Sequence, residues 1–132
     1  MTEKNPLLDA IVFDAAGLVP VIAQQHDTDE ILMVAWMNRD AVTETLSTGR
    51  VCYWSRSRRA LWRKGETSGQ IQRLIELKLD CDGDVLLARV DQLGVACHTG
   101  RRSCFFRTAT SGGWQVTNQP EVDPKTLYPD KP

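Results

Sequence analysis

Hydrophobic positions along this chain come in short runs broken by polar turns, the pattern of a strand-rich domain. "VPVIA" (Val19 to Ala23) and "ILMVAW" (Ile31 to Trp36) flank the polar "QQHDTDE", which predicts neighbouring strands joined as a hairpin. The period then changes. In "NRDAVTETLSTG" Asn38 is placed to cap, Ala41, Val42 and Leu46 share one helical face, and Gly49 stops the helix. "VCYW" (Val51 to Trp54) returns to strand composition. "LIELKL" alternates from Ile75 through Leu77 to Leu79, "VLLARV" follows after "DCDGD", and Asp82-Gly83 between them signals a hairpin turn. "LGVAC", "CFFR" and "GWQV" are further strand candidates. Four of the six prolines fall within residues 119–132, which read as an extended tail. The expectation is a β-dominated α+β fold of mixed or antiparallel strands with one or two short helices. It occupies a single domain, 1–118, followed by the proline-rich tail 119–132.

At 132 residues and 14.8 kDa, one domain is the natural size, large enough to bury a real core. No apolar run approaches the roughly 20 residues needed to cross a bilayer. The start "MTEKNPLLDAIVFD" is polar and acidic, without the basic and apolar regions of a signal peptide. Both features point to the cytoplasm, no membrane association, and reduced thiols. That compartment turns the four cysteines away from disulfides and towards metal binding or catalysis.

Three of those cysteines, Cys81, Cys97 and Cys104, lie 16 and 7 residues apart. Neither gap is the two-to-four-residue spacing of a zinc knuckle, so no tight structural knot forms on one loop. Three thiolates leave one tetrahedral position open unless His98 fills it, and an open position is what distinguishes catalytic zinc from structural zinc. The same cysteines also fit as small buried hydrophobes. Cys52, inside "VCYW", has no polar company and is expected to be only that.

Asp80, Asp82 and Asp84 repeat with period two, as carboxylates would on one face of a strand with Cys81 on the other. An EF-hand would need glycine and glutamate where Val85 and Asp91 stand, between two helices, so that reading fails. A hard, oxygen-seeking cation such as magnesium and a merely solvated acidic turn both remain open. The third feature is basic. From Arg50 to Arg73 six arginines and one lysine face a single glutamate, Glu66, in a chain of net charge −1. The forks of Arg56, Arg58 and Arg63, the ammonium of Lys64 and the glycine-containing "KGETSG" suit phosphate oxygens, against the alternative of a solvated basic face. A nucleic-acid reading would recruit Tyr53, Trp54 and Trp62 as stacking platforms, but the neighbouring acids and a pI near 6.1 disfavour it. A soft metal site, a hard metal site and a phosphate-seeking segment together suggest metal-assisted hydrolysis of a phosphorylated small molecule.

"VAWMNRDAVTETLSTG", "YWSRSRRALWRKGETSG", "DCDGD" and "ACHTGRRSCFF" resemble, in order and spacing, the signature blocks of the phosphoribosyl-AMP cyclohydrolases, enzymes of the third step of histidine biosynthesis. The resemblance runs from about Asp14 to Arg107. It implies zinc on Cys81, Cys97 and Cys104, magnesium on Asp80, Asp82 and Asp84, and an intertwined homodimer whose zinc ligands come from both chains. It implies a substrate, AMP carrying a second phosphoribosyl group on N1, whose phosphates would account for Arg56, Arg58, Arg63 and Lys64. His98 is then the candidate proton shuttle, with fourth ligand or partner of a ligand as its rival roles. Some relatives carry a second, pyrophosphohydrolase domain; the proline-rich ending here leads us to expect the cyclohydrolase activity alone. The rival functions are a zinc-dependent deaminase of nucleosides or bases, whose H-x-E and P-C-x-x-C pattern is missing, and a zinc-stabilised nucleic-acid-binding module.

Overall fold

The computed structural model of the chain describes residues 5–127; the end of the expected tail, 128–132, lies outside the described residues. Its centre is a four-stranded mixed sheet of β1 (Val19–Gln25), β2 (Ile31–Met37), β5 (Gln72–Leu79) and β6 (Leu86–Gln92), in the order β2-β1-β6-β5. β1 and β2 form the expected hairpin, as do β5 and β6, while the two central strands β1 and β6 run parallel. Strict alternation along β1 and β6 buries Val19, Val21 and Ala23 beside Leu86, Ala88 and Val90, one continuous apolar row.

Helix α2 (Arg39–Thr48) covers this region as the sequence predicts. The Asn38 side chain accepts the Ala41 N–H at 2.8 Å, and Gly49, in the left-handed conformation at φ 75°, closes the last turn. The helix buries Ala41, Val42 and also Thr45, a polar residue whose hydroxyl both accepts from the Cys52 N–H (2.9 Å) and donates to the Cys52 carbonyl (3.2 Å). That pair of bonds staples α2 to strand β3 (Cys52–Ser55). Cys52 itself is core, as expected, among Val51, Tyr53 and Met37.

The basic segment is not one loop. Residues 52–63 form a hairpin of β3 and β4 (Ala60–Arg63), with Tyr53 opposite Trp62 and Trp54 opposite Leu61, and a turn between them in which Arg59 takes φ 53°. "LGVAC" forms no strand: only the Leu93 amide continues the pairing, to the Ile71 carbonyl, while those of Val95, Ala96 and Cys97 go to Gln70 Oε1 and to the carbonyls of Arg102 and Arg101. "CFFR" contributes only Arg107, the first residue of β7 (Arg107–Thr110), which pairs with β8 (Gly113–Val116). Two short helices complete the chain, α1 (Pro6–Asp9) and α3 (Pro124–Leu127); the latter lies within the segment expected to be extended. No helix among the described residues is long and apolar enough to cross a membrane.

Candidate active site

The apolar row of the sheet ends in glutamines. Gln25, Gln72 and Gln92 are buried, and buried amides must find partners. The Tyr53 hydroxyl donates to Gln72 Oε1 (2.6 Å), Gln72 Nε2 donates to Gln92 Oε1 (2.8 Å), and Gln92 Nε2 donates to the Leu93 carbonyl (2.8 Å). Gln70 Oε1 accepts the Val95 N–H at 2.8 Å. Among the described residues no fully buried side-chain nitrogen or oxygen lacks a partner, so the network is complete. Its effect is to pin the start of the loop that carries Cys97.

That loop is a tight return. The Ala96 and Cys97 amides donate to the carbonyls of Arg102 and Arg101 (3.0 and 3.1 Å), enclosing a turn in which the Gly100 N–H donates to the Cys97 carbonyl at 3.0 Å. Gly100 adopts φ 84°, and a Cβ there would collide with the Val122 carbonyl, so only glycine lets the chain past. The amides of Glu121 and Val122 both donate to the Gly100 carbonyl (2.8 and 3.1 Å). The first part of the proline-rich segment is therefore folded onto the cysteine turn. Past the return, the Ser103 hydroxyl donates to the Ile31 carbonyl (2.7 Å) and the Cys104 N–H to the Leu32 carbonyl (2.7 Å), anchoring Cys104 to β2.

These contacts bring two of the three predicted cysteines together. Cys97 is buried and its sulfur accepts the Thr99 hydroxyl at 3.1 Å. Desolvation, then the neighbouring Cys97, push the Cys104 thiol up to about 12, with Lys64 pulling the other way. Lys64 is buried as well, and burial holds its ammonium below the usual lysine range against the opposing pull of Cys104 and Cys97. Paired thiols beside a buried cation are a donor set that suits a soft metal such as zinc and offers nothing to a hard one. His98, on the turn itself, is exposed, and its side chain makes no hydrogen bond among the described residues.

Cys81 stands elsewhere. Asp80, Cys81, Asp82 and Asp84 occupy the turn between β5 and β6 rather than a strand, and the period-two face expected for the carboxylates does not exist. The reason is Asp80: its Oδ1 accepts the amides of Asp84 (3.0 Å) and Val85 (3.2 Å), so the acid folds the turn around its own side chain. Gly83, at φ 77°, completes it and its carbonyl accepts the Val12 amide at 2.7 Å. Desolvation, then Asp80 and Asp82, raise the carboxyl of the exposed Asp84 above its ordinary value, as expected of acids crowded on one turn. Cys81 is exposed there, its sulfur 3.3 Å from Asp82 Oδ1. Among the described residues no three His, Cys, Asp or Glu side chains of the chain converge as a metal cage.

The four basic candidates part company. The Arg56 guanidinium lies over the Trp36 ring, 4.5 Å from its centroid, at an open dish that Trp54, Ser55 and Trp62 also line. Arg58 is exposed, its Nε donating to Ser55 Oγ at 3.5 Å. Arg63 is already engaged by both oxygens of Glu44 (2.8 and 2.9 Å). Lys64 belongs to the thiol pair. Pattern reading missed Tyr53, Gln72, Gln92 and Thr99 as supports of the site. Nothing local marks them, except that glutamines recurring at the ends of apolar strands must be paid for by partners.

The model of the phosphoribosyl-AMP cyclohydrolase family matches residues 33–106, a span that takes in the α2 segment, the basic hairpin, the acidic turn and both loop cysteines. Curated proteins of that name are similar over nearly the whole chain. The one from Alkalilimnicola ehrlichii is 66% identical over 92% of this chain and 86% of its own length. Those from Halorhodospira halophila and Granulibacter bethesdensis are 64% and 66% identical, covering 96% and 94% of this chain and 89% and 98% of theirs. With the signature blocks of the sequence thus matched and two of their cysteines brought together by the fold, the chain belongs to the phosphoribosyl-AMP cyclohydrolase family.

Proposed function

We propose that this chain is a phosphoribosyl-AMP cyclohydrolase, opening the N1–C6 bond of the adenine ring of 1-(5-phosphoribosyl)-AMP with one water in the third step of histidine synthesis. The observation that carries this is identity of up to 66% with cyclohydrolases across at least nine-tenths of the chain. Alkylation at N1 makes C6 electron-poor. Water adds at C6, N1 departs with its phosphoribosyl arm, and the exocyclic nitrogen stays behind as a carboxamide.

Cys97 and Cys104 would hold zinc in one chain, and the remaining thiolate would be Cys81 of a second chain. When bound, zinc lowers the pKa of water from 15.7 to roughly 7, supplying a nucleophile at neutral pH. The protein's own part is to seat, orient and move protons. His98, exposed beside Cys97, takes the proton released as water adds and returns it to N1 as that nitrogen leaves. Arg56 and Arg58, at the exposed end of the β3–β4 hairpin, bind the substrate's phosphates. Asp80, Asp82 and Asp84 would hold magnesium with the carboxylate oxygens that the turn leaves unused.

A homodimer is supported by two features. The thiols are divided between two ends of the fold, and the β7–β8 hairpin exposes every residue, including Trp114 at 73%. A lone two-stranded hairpin is marginal in water, so a second copy against it is its natural support. The deciding assay is loss of phosphoribosyl-AMP followed by absorbance, run beside an ammonia assay. Turnover without ammonia is expected. Ammonia release would mark a deaminase, and salt-sensitive retention on nucleic acid without turnover a binding module.

A further inference from the structure

Lys64 is the only lysine, arginine or acid among the described residues whose side chain is buried, at 5% exposure. A buried cation is costly unless an anion accompanies it. No carboxylate among the described residues lies within ion-pair distance of it, although seven other cation–carboxylate pairs form on the surface. The groups close enough to act on its charge are the thiols of Cys104 and Cys97, and its Nζ lies 5.9 Å from the centroid of the Trp62 ring.

The backbone holds Lys64 in this place from both sides. Its N–H donates to the Val51 carbonyl at 3.1 Å, which continues the β3–β4 hairpin by one residue beyond Arg63. Gly65 then turns at φ 84°, where a Cβ would collide with the backbone of Gln70 and Ile71. The chain must leave sharply, and the lysine stem is committed inward. Its neighbour Arg63 alternates outward to Glu44, so the two adjacent cations have opposite assignments.

We infer that Lys64 is a positioning residue of the metal centre: its ammonium, carried on a buried side chain, is the counter-charge of the Cys97 and Cys104 thiolates, and it does not contact substrate phosphate. The inference rests on the reading of those cysteines as zinc ligands. Three thiolates around a divalent zinc leave one net negative charge, and one fixed ammonium neutralises it. On this inference Lys64 serves the cysteines instead of the phosphate contacts first expected of it, consistent with a residue only 5% exposed.

The test uses zinc alone on the full-length protein, by competition with a chelator of known affinity. Lys64→Met and Lys64→Gln should bind zinc at least about tenfold more weakly, the usual effect of removing a group that supports metal ligands. Lys64→Arg should restore most of the affinity. In protein reconstituted with cobalt, the sulfur-to-metal charge-transfer band of Lys64→Met should move to longer wavelength, because the thiolates lose a stabilising cation. The metal-free Lys64→Met protein should melt no lower than metal-free wild type, since an uncompensated buried charge has been removed. Zinc affinity within twofold of wild type in both the Met and Gln variants overturns the inference. Cys97→Ser is measured in parallel: if it keeps its zinc, the metal assignment itself has failed, whereas loss in Cys97→Ser with none at Lys64 condemns only the lysine's role.

Discussion

A zinc atom about 2.3 Å from each sulfur sets its thiolates roughly 3.8 Å apart, and the fold denies Cys81 that approach to its own chain's pair. Cys104 is tied through its amide to Leu32 on β2, one edge of the sheet, while Cys81 sits on the turn leaving β5, the other edge. Three inter-strand intervals of about 4.8 Å put some 14 Å between those edges before any displacement along the strands is added. Cys97, for its part, follows the end of β6, and Cys81 precedes its beginning. A zinc site using all three must therefore draw Cys81 from a second copy. In a two-fold dimer this makes two equivalent sites, each straddling the interface. Cys81→Ser and Cys97→Ser should each be inactive alone. When the two are dissociated, mixed in equal amounts and re-formed, half of the dimers are mixed; in each of these one site collects both lesions and the other collects none. About a quarter of wild-type activity should return, from one intact site of two in half of the dimers. Native mass spectrometry counts the mixed dimers and the phosphoribosyl-AMP assay reads the recovery. A mixture that stays dead while mixed dimers are present refutes the shared site.

Asp82→Asn and Asp84→Asn should raise the magnesium concentration needed for half-maximal turnover without stripping zinc, read by metal titration after exhaustive dialysis; activity indifferent to magnesium would end the hard-metal role. Arg56→Ala and Arg58→Ala should chiefly raise KM, since ground state and transition state share a phosphate contact, whereas His98→Ala should lower kcat; equal and small effects at all three would return the hairpin to a solvated basic surface. Gln72→Leu leaves the Tyr53 hydroxyl and the Gln92 amide without their buried partner and should cost about 1–3 kcal/mol in urea denaturation, so an unchanged midpoint would remove the network from the account. Truncation after Asn118 removes the two amides that hold the Gly100 carbonyl and should weaken zinc binding in the same chelator competition used for Lys64.

The elements legible in the sequence were those whose signal is local. β1, β2, α2, β3, β5, β6 and β8 fall where alternation, an asparagine cap and a glycine stop place them, because backbone geometry alone dictates those periods. Where other groups compete for the amides, local reading fails. "LGVAC" has strand composition, yet Gln70 and Arg102 take its hydrogen bonds and hold it as a loop. The period-two acids looked like a strand face until Asp80 turned its carboxylate onto the backbone it was supposed to extend.

The site divides in the same way. The residue types were decided by the sequence alone: soft thiols spaced too widely for a knuckle, acids around a glycine turn, cations interleaved with tryptophans. Where each would stand was decided only by the tertiary structure. Arg63 and Lys64 are adjacent and chemically alike, but strand alternation sends the first to Glu44 at the surface and the second inward, where Cys97 and Cys104 act on its charge. Cys81 has the same chemistry as its two fellows and lies on the opposite edge of the sheet, because the order β2-β1-β6-β5 puts the acidic turn and the strand that anchors Cys104 as far apart as four strands allow. Donor chemistry is a property of side chains and survives in a string of letters; proximity is set by sheet order and register, which arise from contacts between residues distant along the chain.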